Sequence, residues 1–64
     1  LGAQSGIALA LGQMGRLSEE IGDVDEAVRL FREALVIFER LSSPYTDTAR
    51  RDLARVEGKS SEVP

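Results

Sequence analysis

Two groups of charged side chains mark where this sequence could do chemistry. Glu19, Glu20, Asp23, Asp25 and Glu26 crowd into one short stretch, and Arg50, Arg51, Arg55 and Lys59 gather near the C-terminal end. Carboxylates at that density suggest a hard-cation site or a general acid–base pair. A calcium loop needs a ladder of oxygen ligands with a glycine at its sharp turn, and that ladder is missing. An acid–base pair needs a pocket that pulls two pKa values apart, and a helix hairpin supplies none. Helix capping and solvation are the expected role of the acidic group. The basic group suggests phosphate contacts, but 8 Lys+Arg against 11 Asp+Glu leave a net charge of −3. Nucleic-acid surfaces need cations in excess, so no nucleic-acid partner is expected. Arg51 and Arg55 share a helix face at i,i+4, and Asp47 is spaced to pair with Arg51. The stretch Gly12-Gln13-Met14-Gly15 lacks the Lys-Ser/Thr ending of a phosphate loop and lies inside a helical pattern.

The rest of the composition narrows the chemistry further. The chain has 64 residues, with no histidine, cysteine or tryptophan and only three aromatics. The commonest general base and metal ligand is therefore missing, and no disulfide or thiolate metal site is available. No catalytic, cofactor-binding or metal-binding residue is assigned, and neither an enzyme nor a small-molecule substrate is expected. The segment from Leu1 to Gly15 is uncharged, yet it contains Gln4, Ser5 and Gln13 and is too short to cross a bilayer. It has no cationic n-region, so neither a signal peptide nor a membrane partner is expected, and a cytoplasmic location follows. A chain this short has a marginal core by itself. It starts at Leu1 rather than Met and reads as a piece of a longer polypeptide.

Three helices are predicted, which makes the fold class all-α. The first spans about residues 3–21. Ala3, Ile7, Leu11, Met14, Leu17 and Ile21 keep helical spacing along it, and Gly22 ends it as a left-handed C′ residue. Gly15 within this helix is expected to mark the close approach of another backbone. The second helix spans 24–41. Asp23 is its N-cap, and Glu26 three residues on completes the pattern of a capping box. Its apolar residues, among them Ala27, Val28, Leu30, Phe31, Ala34, Leu35 and Phe38, cover too wide an arc for one neighbour. It should be sandwiched between two helices. The third spans 44–57, with Ser43 as its cap, Pro44 in its first turn and Gly58 as its stop. Its apolar face is Tyr45, Ala49, Leu53 and Val56, and Tyr45 is expected to pack at its start. Residues 58–64 are expected to fray.

The span Ala8–Leu41 resembles the tetratricopeptide repeat, a helix–turn–helix unit of about 34 residues. Leu11, Met14, Gly15, Gly22, Ala27, Phe31 and Ala34 carry the resemblance. Small residues at 15, 27 and 34 let the helices approach, while Leu11, Met14 and Phe31 fill the space between them. Ser18 departs from the pattern by standing where the family usually has an aromatic. The second helix also runs on past the usual proline, which is similar to a longer variant found in kinesin light chains and bacterial regulators. A shift of 42 positions places Ala3, Ile7, Leu11 and Met14 on Tyr45, Ala49, Leu53 and Val56, all apolar. Residues 3–41 thus read as a repeat hairpin, with 44–57 as the next repeat's first helix or a polar cap of an α-solenoid fragment.

The resemblance implies a protein-interaction module, in which first-type helices line a concave groove for a peptide or partner protein. By position, the groove residues here are Leu9, Gln13, Arg16 and Glu20, together with Gly12 and Glu19. Gly12 stands where chaperone-type repeats place a Lys, so a C-terminal-carboxylate clamp is absent. The competing expectation is structural. Leu9, Ala10 and Leu17 form a face without a partner in the chain, to be covered by a missing repeat or by another copy in a homo-oligomer. A sensor arm of a larger bacterial regulator is a further alternative.

Overall fold

The computed structural model describes residues 3–60, which form three packed helices and no strand. They are α1 (Ala3–Glu20), α2 (Val24–Arg40) and α3 (Thr46–Ser60). Helix α2 lies between the other two and packs against both. Its wide apolar arc accounts for the order, since one neighbour would leave half of that arc in water.

The turns have local causes. At the end of α1 the amide of Asp23 donates to the carbonyl of Ser18 (2.8 Å), and that of Gly22 donates to Glu19 (3.1 Å). This is the Schellman pattern, and Gly22 takes the left-handed φ of +88° that it requires. The end of α2 repeats it. The amide of Ser43 donates to the carbonyl of Phe38 (2.9 Å), that of Ser42 donates to Glu39 (3.1 Å), and Ser42 sits at φ +52°. Only half of the expected capping box forms. Asp23 Oδ1 accepts from the amide of Glu26 (3.2 Å), but the Glu26 carboxylate accepts from Arg29 Nε (3.1 Å). The Asp23 amide is already committed to Ser18, so Glu26 has nothing to reach back for.

Helix α3 departs from its predicted bounds of 44–57. Ser43 Oγ accepts from the amide of Tyr45 (3.1 Å), and regular helix starts at Thr46. At the other end the helix passes through Gly58, which was expected to stop it. Glycine in a helix interior costs ~1 kcal/mol, but the residues beyond it are tied down. Lys59 Nζ donates to Glu19 Oε2 (2.9 Å), and Ser60 Oγ lies 3.4 Å from Asp25 Oδ1. Residues 58–60 are therefore helical instead of frayed, and 61–64 lie outside the described residues.

The core runs along α2 in two clusters. Ala8, Ala34, Phe38 and Ala49 form one, while Ala27, Phe31, Leu53 and Val56 form the other. Leu35 packs against both. Phe31 is among the largest fully buried side chains. Its truncation to Ala costs ~3–5 kcal/mol, enough to unfold a domain this small. No buried polar side chain lacks a partner among the described residues.

The face that α1 buries is not the one its apolar spacing suggests. Ala8 and Gly15 meet α2, and Leu11 is half-buried, whereas Ile7, Met14 and Leu17 are exposed. Met14 therefore does not fill the space between the helices. Gly15 faces the Phe31 ring. A bulky aromatic on α2 needs small residues opposite, so shape outweighs hydrophobicity in choosing the face.

Candidate functional site

The arrangement of three helices leaves a cleft between α1 and α3, with α2 as its floor. Its volume is about 250 Å³. Leu9, Gly12, Gln13 and Arg16 form the α1 wall. Tyr45, Thr48, Ala49 and Asp52 form the opposite wall, over Phe31, Ala34 and Phe38. The spacing 9, 13, 16 places those side chains on one face of α1, and 45, 48, 52 does the same on α3. The Phe38 and Tyr45 rings meet at 5.6 Å between centroids with a tilt of 41°. Tyr45 thus packs where α3 begins, yet stays half-exposed at the mouth of the cleft.

Ion pairs close the cleft at one end. Glu19 on α1 accepts from Arg55 Nε (2.9 Å), Arg55 Nη2 (2.8 Å) and Lys59 Nζ (2.9 Å) on α3. The Glu19 side chain is only 14% exposed. The hydrogen bonds from Arg55, then those from Lys59, hold its carboxyl down at about 2, although partial burial works the other way. Arg55 is shifted upward, first by its hydrogen bond to Glu19 and then by that to Asp52 (2.9 Å). Asp52 also has Arg16 Nη2 at 3.7 Å, across the cleft. The Arg16 side chain is otherwise largely solvated.

With its carboxyl held near 2, Glu19 is ionised at neutral pH and serves as a fixed negative partner for Arg55 and Lys59. No group of His, Cys, Asp or Glu among the described residues could hold a metal ion. Three of the four cations of α3, Arg50, Arg55 and Lys59, are drawn into ion pairs with neighbouring carboxylates. Arg50 binds Glu39 (3.1 Å) and Asp47 (3.2 Å), while Arg55 and Lys59 share Glu19. Asp47 takes Arg50, not the expected Arg51. No helix among the described residues is long and apolar enough to cross a membrane.

Of the expected groove residues, Leu9, Gln13 and Arg16 come together on the cleft wall with Gly12. Glu20 does not line the cleft, and Glu19 bridges to α3 at its end. The expected self-association face splits in two. Leu9 belongs to the cleft, while Ala10 and Leu17 lie roughly 80–100° round the helix and are exposed. Thr48 and Asp52 escaped sequence reasoning as site residues. Their i,i+4 spacing on a helix matched to α1 by the 42-position shift was the available signal.

No family model, curated protein or solved structure matches the chain. The fold defines a small all-α bundle in which a central helix holds two others apart at one edge.

Proposed function

We propose that the chain is a protein–protein interaction module of the tetratricopeptide kind, and that its α1–α3 cleft takes a segment of a partner protein. The cleft supports this reading best, because it is more enclosed than the shallow hollow over Leu11, Val36 and Ile37, and apolar and polar groups of α1 and α3 converge on it. Leu9, Phe38 and Tyr45 offer an apolar seat, and Arg16 offers a charge for a partner carboxylate. The order of helices supports the same reading, since two first-type helices flank a second-type helix. So do the small residues Gly15, Ala27 and Ala34 at the contacts.

The test is selection of a random peptide library on the folded chain, followed by amide-shift mapping of the enriched peptides. Shifts at Leu9, Gln13, Arg16, Thr48 and Asp52 are expected. Peptides that shift other surfaces, or no enrichment at all, would contradict the reading.

A further inference from the structure

We propose that a second copy of this chain covers the outer face of α1, helix against helix and antiparallel. This does not rest on the cleft reading: the seam residues lie on a different face of α1, and only Gln13 at the edge borders both. Ala3, Ile7, Ala10, Met14, Leu17 and Ile21 recur at alternating intervals of four and three residues. That is the seam pattern of two helices coiled about each other. All six are exposed, with Ile7 at 50%, Met14 at 49%, Leu17 at 62% and Ile21 at 78%. The stripe lies roughly 130° round the helix from Ala8 and Gly15, which face α2.

The area suits a homodimer. Exposed apolar patches on monomers seldom exceed ~300–600 Å², and four large side chains of this stripe each leave about half or more of their surface in water. Pairing two copies removes on the order of 1,000 Å², the lower bound of a specific interface. Charge and shape favour the same occupant. Helix α1 has no charged residue before Arg16, so nothing along most of the seam repels a copy of itself.

In the antiparallel register Ala3 meets the partner's Ile21, Ile7 meets the partner's Leu17, and Ala10 meets the partner's Met14. Both alanine layers set small against large, so the layers fill evenly. Beside the seam, Gln13 meets the partner's Gln13 and Glu20 meets the partner's Gly6, with no like charges opposed. A parallel pair would stack Ala3 on Ala3 and Ala10 on Ala10, leaving empty layers.

Sedimentation equilibrium from micromolar to millimolar concentration tests the proposal on the whole chain. A monomer–dimer equilibrium is expected. Met14→Lys, at an exposed site outside the core, should weaken it at least ~10-fold while helix content by circular dichroism is unchanged. Ala10→Glu should do the same. The orientation is read with single cysteines, which the natural sequence lacks. A short bismaleimide should link Gln13→Cys but not Leu17→Cys, whose copies lie roughly 15 Å apart along the axis. A dimer indifferent to Met14→Lys and Ala10→Glu, or linkage at 17 in preference to 13, overturns the proposal. A monomer at every concentration also overturns it and leaves the stripe to a foreign protein or to another helix of a longer chain.

Discussion

A Cβ built on Gly15 would stand 2.9 Å from Cε1 of Phe31. The ring is 1% exposed, so an added methyl must displace a core side chain. Alanine at 15 gains ~1 kcal/mol of helix propensity but overpacks the core at a cost of ~1–3 kcal/mol. Gly15→Ala should therefore destabilise the chain by about 1 kcal/mol. Gly58 is also helical, but a Cβ there meets nothing within 4 Å. Gly58→Ala should stabilise by ~0.5–1 kcal/mol. Urea unfolding monitored by circular dichroism checks both signs.

The two Schellman turns give an opposite pair. Ser42 holds φ +52° with a side chain that disfavours it, while Gly22 holds +88° at little steric cost. Ser42→Gly should stabilise by ~0.5–1 kcal/mol, and Gly22→Ala should destabilise by about 1 kcal/mol. Thermal melts of the two variants should move in opposite directions.

The Glu19 carboxyl is held at about 2, against an ordinary 4.5. A depressed carboxylate pKa stabilises the fold above the unfolded-state value, and that stabilisation is lost as pH falls through the folded-state value. Stability should thus decline between about pH 4.5 and pH 2. Arg55 and Lys59 are half-exposed, so solvent screening limits the contribution to ~1 kcal/mol. Glu19→Gln should lose that amount at pH 7 and flatten the acid limb of a stability–pH curve. An unchanged acid limb would mean that the bridge contributes nothing.

Features with a local backbone cause were legible in the sequence. Gly22 followed by Asp23 marks a turn because one residue tolerates positive φ and the other caps a helix. The wide apolar arc of α2 likewise carries its own consequence, a neighbour on each side. Features set by distant partners were not legible. Glu19 and Arg55 are 36 positions apart, and their bridge depends on how α2 spaces α1 from α3. The same bridge, extended through Lys59, explains why Gly58 does not end α3. The packing face of α1 misled for a different reason. Its larger apolar residues keep a clean helical repeat, but the small Gly15 faces the Phe31 ring and the small Ala8 packs with Ala34 and Phe38. The cleft was half legible, since Leu9, Gln13 and Arg16 follow from the resemblance while Thr48 and Asp52 depend on the placement of α3.

The cleft and the outer stripe of α1 are separable by substitution, because Leu9 and Leu17 occupy different faces of one helix. Leu9→Lys and Thr48→Lys should each weaken a cleft-bound peptide at least ~10-fold without unfolding the chain, since both sites are exposed. Leu17→Lys should leave that affinity unchanged. The most direct measurement is calorimetric titration of the best selected peptide into the natural chain and these three variants. The expected result is loss of binding with Leu9→Lys and Thr48→Lys and its retention with Leu17→Lys. Retention in the two cleft variants with loss in Leu17→Lys would contradict the assignment and move the partner site to the outer face.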